Sequence, residues 1–371
     1  MKTIAIVGST GSIGASALKV FKKNKKKFKL IFLSAHKNYK KLLDQNKAFK
    51  PYKIFLTSNS SSIKKININN YTDVNYFFKK YKKKIDYVIS GASGYDALDV
   101  NFKLLRISKK LLIANKETLI CGGNLFLKEA KKKNCEIVPI DSEHYCINFF
   151  LKKMNIKKNE IKKIYLIASG GPFFRKRIKY NENISKVIRH PNWDMGKKIS
   201  IDSSNFSNKI LELFEAKILF GNLTKNFEIK VEEKSYVHAI IELKNNLLFP
   251  VIHLPTMEIA ISNSLNLSNS FEFSYNKLNL NFLTPDTKKF PIISLGYKIL
   301  NNFSDKGMII FTILNERLAE MFIQKKIKYG DIVNFLVKAF QDKLIIKESK
   351  KKIKDKKEMY KAIDYAKNLK I

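Results

Sequence analysis

The chain has 371 residues, 45% of them hydrophobic, and a formal net charge of +39 at pH 7. That length makes two or three domains the expectation and allows sizeable cores. No apolar run reaches the ~18 residues of a membrane span. The three cysteines, Cys121, Cys135 and Cys146, form no CxxC pair and no zinc-type array with histidine, so a reduced protein is expected. The cysteine usage also makes the cytoplasm the expected compartment, and the start, MKTIAIVGS, runs straight into a strand without the layout of a signal or transit peptide. The charge raises nucleic acid or anionic lipid as a partner. The lysines, however, are scattered in short runs at 22–29, 79–84, 131–135 and 348–357. Asn and Ile are abundant too, and all three residue types share AT-rich codons. Base composition explains the excess, and neither nucleic acid nor membrane is expected as a partner.

TIAIV at 3–7 reads as a short buried strand, followed by GSTGSIG and the helical ASALKVFKK. Further apolar runs lie at 28–35, 85–90, 110–117, 135–141 and 163–171, with helix-like segments between most of them. That rhythm predicts a doubly wound parallel sheet, an α/β fold. Each run ends in polar residues: Ser90-Gly91-Ala92, Asn115-Lys116-Glu117, Asp141-Ser142-Glu143 and Ser169-Gly170-Gly171. Ligands bind beyond the carboxyl ends of such strands. From about 228 to 262 the pattern is β-like, and 265–291 is turn-rich. After Pro291 apolar residues recur at helical spacing (Leu318, Met321, Phe322; Ile332, Phe335, Leu336, Phe340; Met359, Ala362, Ile363, Ala366), which predicts a small helical bundle. The expected layout is a Rossmann-like domain at 1–140 and an α+β catalytic domain at 141–264 with a flap near 190–200. A linker at 265–291 and the bundle at 292–371 complete it.

Gly8, Gly11 and Gly14 follow a strand and open a helix, a context that suits a diphosphate at a helix N-terminus. The spacing is G-x-x-G-x-x-G, which an ordinary βα turn also tolerates. The second strand ends SAHKN with no acid to hold a ribose, whereas Lys37 and Asn38 suit a 2′-phosphate, so NADP is expected over NAD unless Lys37 is one more surface lysine. Asp141 and Glu143 stand two apart, and in an extended segment both would point to one face. Such a pair suits a hard divalent ion, Mg²⁺ or Mn²⁺, or else is a solvated turn. Trp193, the single tryptophan, sits between Pro191 and Gly196, as a lid over a ligand or as a core anchor. Ser203, Ser207, Asn208 and Lys209 precede or open a helix and suit a phosphate. Glu212 lies one turn beyond Asn208, as a third carboxylate or as part of a solvated acidic edge with Glu215.

The stretches GSTGSIG, ANKE, PIDSEH, SGGPF, HPNWDMGKKISIDS and NK..LE, in this order and near this spacing, resemble the 1-deoxy-D-xylulose 5-phosphate reductoisomerase family. The resemblance runs from residue 1 to the last helices and is looser after 220. It implies NADPH-dependent isomerisation and reduction of 1-deoxy-D-xylulose 5-phosphate to 2-C-methyl-D-erythritol 4-phosphate, in the non-mevalonate isoprenoid pathway. It also implies a homodimer and a divalent metal, Mn²⁺ or Mg²⁺ with Co²⁺ as a further option. By the same resemblance Asp141, Glu143 and Glu212 hold the metal, and Lys116 and Ser142 contact substrate oxygens. Ser169, His190, Ser203, Asn208 and Lys209 surround the phosphate, and Trp193 and Met195 belong to the flap. Thr10, Gly11, Ser12, Ile13, His36, Lys37, Asn38, Asn115, Glu117 and Gly196 line the NADPH site.

The chain departs from the family's pattern in three places. Ser204-Asn205-Phe206-Ser207 stands for the usual Ala-Thr-Met-Met, His36 replaces a common glycine, and HLPTMEIAI at 253–261 matches a Pro-Asp-Met segment loosely. Two other readings compete: a sister NADPH-dependent reductase of another phosphorylated aldehyde, and a basic nucleic-acid-binding protein. The full metal-plus-phosphate set speaks against the first, and the scatter of the lysines against the second.

Overall fold

The computed structural model describes residues 1–58, 69–193, 195–268, 270–274 and 278–370. Residue 194 of the expected flap and parts of the expected linker lie outside the described residues. The chain forms two compact units. One comprises Met1–Thr118, Phe126–Tyr145 and Thr256–Phe271; the other comprises Leu119–Leu125, Cys146–Pro255 and Glu272–Ile371.

In the first unit strands and helices alternate: β1 Lys2–Val7, α1 Ser12–Lys23, β2 Phe28–Ala35, α2 Tyr39–Phe49, β3 Lys53–Leu56, α3 Val74–Lys80, β4 Ile85–Ser90, α4 Leu98–Ile107 and β5 Ser108–Ile113. Helix α5 (Lys116–Lys132), β6 (Glu136–Pro139) and the start of α6 (Ser142–Lys153) follow. The six strands pair in parallel in the order β3-β2-β1-β4-β5-β6. This is a doubly wound parallel sheet, as the strand rhythm predicts, with its switch point between β1 and β4, but the run at 163–171 is not part of it. The strands are near-continuous apolar runs because helices cover both faces. Ile4, Ile6, Leu33, Ile89 and Leu112 are buried in one core with Ala17 and Leu18 of α1. β3 was not read from the sequence: its apolar stretch is only four residues, KIFL.

The second unit holds β7 (Ile161–Ala168), the short α7 (Ile184–Val187), α8 (Lys197–Ser204), α9 (Ser207–Phe220), β8 (Phe227–Val231), β9 (Val237–Leu243) and β10 (Leu248–Ile252). These strands form a mixed sheet in the order β10-β9-β7-β8, with β7 and β8 parallel and the other pairs antiparallel. The β-like reading of 228–262 fits these strands but not its end. There Thr256 accepts a hydrogen bond from the Glu258 N–H and caps a helix, α10 (Met257–Ser264), which belongs to the first unit. Ile261 and Leu265 join the core around α1.

Helices α11 (Ile292–Asn302), α12 (Asp305–Ile323), α13 (Tyr329–Ala339), α14 (Lys343–Ser349) and α15 (Lys356–Asn368) make the expected helical region. Its centre is α12, buried along almost its whole length, where Phe311 meets Phe214 of α9 edge to face at 5.4 Å.

Candidate active site

In the first unit, β1 leads into the glycine turn. Gly8 has φ +70°, and a Cβ there would stand 2.7 Å from the Ala92 nitrogen. A Cβ on Gly14 would stand 2.3 Å from the Gly8 carbonyl oxygen. Neither position admits a side chain, because α1 is pressed against the turn at the switch point of the sheet. The Gly11 N–H closes the turn on the Gly8 carbonyl at 3.0 Å. No side chain caps α1, so its first amides, from Ser12 and Ile13 onward, are available to an anion.

Lys41 of α2 donates to the Thr10 carbonyl at 3.0 Å. This cation beside the turn was missed from the sequence, where it looks like any other surface lysine. His36 and Lys37 are exposed just past β2. His36 Nδ1 lies 3.1 Å from Thr57 Oγ1, and Asn38 caps α2 by accepting from the Lys41 N–H at 3.1 Å.

β5 ends at Ile113, and the run read as one apolar segment at 110–117 divides there. Asn115 caps α5 by accepting from the Thr118 N–H at 2.6 Å. Its amide nitrogen donates to the Gly94 carbonyl and to Glu117 Oε2, each at 3.1 Å. Behind them Ser90 Oγ donates to Asn101 Oδ1 at 2.7 Å, and Asn101 Nδ2 to Thr118 Oγ1 at 2.8 Å. This buried polar network locks the carboxyl ends of β4 and β5 together, and fixes the backbone of Lys116.

Lys116 and Asp141 form a buried ion pair, and Ser142 Oγ donates to Glu143 Oε2. The extended geometry expected for 141–143 is not what brings the two acids together. The Tyr145 N–H donates to the Asp141 carbonyl at 2.7 Å, and the chain is helical from Ser142. Glu143 thus sits in the first turn of α6, where the amide dipoles stabilise a carboxylate. A solvated turn is excluded: Asp141, Ser142 and Glu143 are all buried.

In the second unit, β7 delivers Ser169 at its carboxyl end. Gly170 and Gly171 follow with φ of +82° and +66°, and a Cβ on Gly171 would meet the Ser203 carbonyl oxygen at 2.7 Å. The glycines therefore let the Ser169 loop lie directly against the end of α8, which carries Ser203. Ser169 Oγ and His190 Nε2 are 2.8 Å apart. His190 Nδ1 accepts from the backbone N–H groups of Asn192, at 3.2 Å, and Trp193, at 3.0 Å. With Nδ1 an acceptor, the neutral ring carries its hydrogen on Nε2 and donates to Ser169. Burial pushes the His190 pKa down to about 4, which keeps the ring neutral. Ser169 then has its own hydroxyl hydrogen to give to an anion.

On α9, Asn208 Nδ2 donates to Glu212 Oε1 at 2.6 Å, and Lys209 Nζ lies 2.6 Å from Glu212 Oε2. Lys209 also donates to the Ile167 carbonyl at 2.9 Å, tying α9 to β7. Glu212 and Glu215 are both buried, which rules out the solvated-edge reading.

The departure at 204–207 is absorbed by packing. Ser204 Oγ lies 2.7 Å from the Tyr329 hydroxyl, and the Asn205 side chain accepts from the Ser207 N–H at 2.9 Å. Phe206 takes a left-handed backbone, φ 70°, with its ring buried 4.5 Å from Phe290. That conformation costs a non-glycine residue roughly 1–2 kcal/mol, which the ring's burial offsets. Trp193 and Met195 are half-buried and Gly196 is exposed at the start of α8. Trp193 meets His238 edge to face at 6.1 Å. His238 was missed because a lone histidine in the apolar run YVHAIIEL reads as core.

In the first unit Asp141 and Glu143 offer hard carboxylate oxygens of the kind Mg²⁺ and Mn²⁺ take, and in the second unit Glu212 offers the same chemistry. The glycine turn, which leaves no room for a Cβ at Gly8 or Gly14, fits a diphosphate. A switch-point glycine turn on a six-stranded parallel sheet is the scaffold of the dinucleotide-binding α/β class. Residues 4–123 match the 1-deoxy-D-xylulose 5-phosphate reductoisomerase family, 137–220 its C-terminal domain, and 252–369 the DXP reductoisomerase C-terminal domain. The chain is 40% identical over 358 residues to the 1-deoxy-D-xylulose 5-phosphate reductoisomerase of Pelagibacter ubique, covering 91% of this chain and 90% of that one. It is 35% identical to that of Clostridium botulinum, covering 91% of each. A crystal structure of DOX-P reductoisomerase in complex with NADPH, fosmidomycin and magnesium superposes with a TM-score of 0.88 at 28% identity, covering 99% of this chain and 98% of that one. The chain belongs to the 1-deoxy-D-xylulose 5-phosphate reductoisomerase family.

Proposed function

We propose that this protein converts 1-deoxy-D-xylulose 5-phosphate to 2-C-methyl-D-erythritol 4-phosphate, using NADPH and a divalent metal, in the non-mevalonate route to isoprenoid precursors. The observation that carries the reading lies in the first unit. The Lys116–Asp141 pair and the Ser142–Glu143 pair are buried beyond the carboxyl ends of β5 and β6, in the same sheet as the glycine turn. Family membership over nine-tenths of the chain supports it. When bound, the metal polarises the substrate carbonyl and NADPH supplies the hydride.

The chain's own groups do the rest. Gly8, Gly11 and Gly14 shape the turn whose amides, with Thr10, Ser12 and Ile13, receive the NADPH diphosphate. Lys37, exposed beyond β2 with His36 and Asn38, meets the 2′-phosphate. Asn115 and Glu117 hold the turn on the nicotinamide side, and Gly196 borders it. Asp141, Glu143 and Glu212 are the metal's ligands, and the hard-oxygen character of all three supports this. Lys116 and Ser142 orient the substrate's oxygens. Ser169, His190, Ser203, Asn208 and Lys209 hold the phosphate through neutral donors and one ammonium, and that remote binding keeps the carbon skeleton in place. Trp193 and Met195 lie in a loop that covers the substrate and excludes water from a reactive aldehyde.

We further propose that 1–140 serves NADPH, that 141–264 serves metal and substrate, and that 265–291 links these to the bundle at 292–371. We propose that the protein works as a homodimer in the cytoplasm. Product analysis tests the reading. Incubation with 1-deoxy-D-xylulose 5-phosphate, NADPH and Mn²⁺ is expected to yield 2-C-methyl-D-erythritol 4-phosphate by mass spectrometry and ³¹P NMR. A reductase of some other phosphorylated aldehyde would leave the substrate untouched.

A further inference from the structure

The stretch after β10 is where the sequence departs from the family's Pro-Asp-Met segment, and it places a histidine in an unusual position. The rings of His253 and His238 are stacked, with centroids 3.7 Å apart and planes 19° from parallel. Both side chains are buried. His238 Nε2 lies 3.2 Å from the His253 carbonyl oxygen, and His253 Nδ1 lies 2.7 Å from the Leu254 carbonyl oxygen. With carbonyls as the acceptors, each of these nitrogens is a donor, so each ring is held in its plane by a hydrogen bond as well as by stacking. The His253 backbone N–H donates to the Tyr236 carbonyl at 3.0 Å, which anchors the platform to the start of β9.

His238 also meets Trp193, whose indole stands at 74° to the imidazole with centroids 6.1 Å apart. The Trp193 backbone N–H in turn donates to His190 Nδ1, which fixes the ring that contacts Ser169. The contacts therefore run from His253 through His238 and Trp193 to His190, all within the second unit.

We infer that His253 is a positioning residue: its ring is the platform that holds His238 edge-on to Trp193, and so sets the resting place of the loop that covers the phosphate end of the substrate. Its route to Ser169 and His190 is the stack. This rests on the reading of the 190–196 loop given above, but the test does not depend on it alone, because Trp193 is the only tryptophan. Intrinsic fluorescence reports its seat directly, with no substrate present.

In His253→Ala the platform is gone. Trp193 emission should shift to the red and acrylamide quenching should rise. KM for 1-deoxy-D-xylulose 5-phosphate should rise about tenfold, with kcat within about twofold and KM for NADPH unchanged. His253→Phe restores a flat ring without the Nδ1 donor and should return emission and KM most of the way to the parent. His253→Gln, polar but not flat, should behave like the alanine variant, and it decides the matter if the alanine variant does not fold. The inference is overturned if folded His253→Ala or His253→Gln keeps parental emission, quenching and KM, or if His253→Phe fails to rescue. Altered fluorescence in a protein that turns over no substrate would uphold the stack while rejecting the proposed reaction.

Discussion

Asn208 and Glu212 stand one helical turn apart on α9, and the amide of the first donates to the carboxylate of the second at 2.6 Å. Lys209 holds the other oxygen of Glu212, so the carboxylate is fixed from two sides before any ligand arrives. Preorganisation of this kind gives a metal ligand one orientation. Glu212→Gln removes the charge and keeps the shape. It should lower turnover on the order of a hundredfold or more while leaving NADPH binding within about twofold. Steady-state rates across a Mn²⁺ titration, with NADPH binding followed by fluorescence, check this. Near-parental turnover at limiting Mn²⁺ would contradict the proposal that Glu212 is a metal ligand.

The glycine turn makes a prediction that separates its members. A Cβ on Gly14 would meet the Gly8 carbonyl oxygen at 2.3 Å, whereas one on Gly11 would have 3.5 Å. Gly14→Ala must push α1 off the turn, so KM for NADPH should rise more than about tenfold, roughly 1.4 kcal/mol, and the melting temperature should fall. Gly11→Ala should fold with parental stability. Equal stability losses in the two variants would contradict the close approach of α1 to the turn.

Cofactor choice should follow Lys37, which is exposed and lies where an NAD enzyme would carry an acid. Lys37→Ala should weaken NADPH by about 1–2 kcal/mol and leave NADH unchanged. Initial rates with the two cofactors give the ratio. A parallel loss for both would mean that Lys37 does not meet the 2′-phosphate.

His190 carries a pH signature. Its folded pKa, about 4, lies below the ordinary 6.5 because burial disfavours the imidazolium. As the pH falls, the unfolded chain takes up this proton first. His190 therefore lowers stability progressively from about pH 6.5 to about 4, and adds no further change below that. Its ¹⁵N resonances should show a neutral ring, with hydrogen on Nε2, down to pH 5. Titration near 6.5 would mean the ring is open to water, and that the Ser169 contact does not persist.

The sequence made the first sheet legible because its strands are apolar runs that end in polar clusters, and because the glycine turn marks where β1 becomes α1. β3 escaped because KIFL is too short to show a period. The acids at 141 and 143 were found by their chemistry but placed on the wrong backbone. DSEHYC contains nothing that separates a strand end from a helix start until the Tyr145 N–H closes on Asp141. The Asn101–Thr118 network and the imidazole stack stayed hidden for a different reason. Their members, Ser90 with Asn101 and His238 with His253, lie 11 and 15 residues apart and meet only through tertiary packing.

The proposed reaction needs NADPH, a divalent metal and the phosphorylated substrate together. NADPH absorbance, followed with purified protein, 1-deoxy-D-xylulose 5-phosphate and Mn²⁺, and repeated with EDTA, tests it most directly. The account predicts oxidation that depends on the substrate and that chelator abolishes. Folded, metal-supplied protein that oxidises no NADPH, or oxidation that survives EDTA, would contradict it.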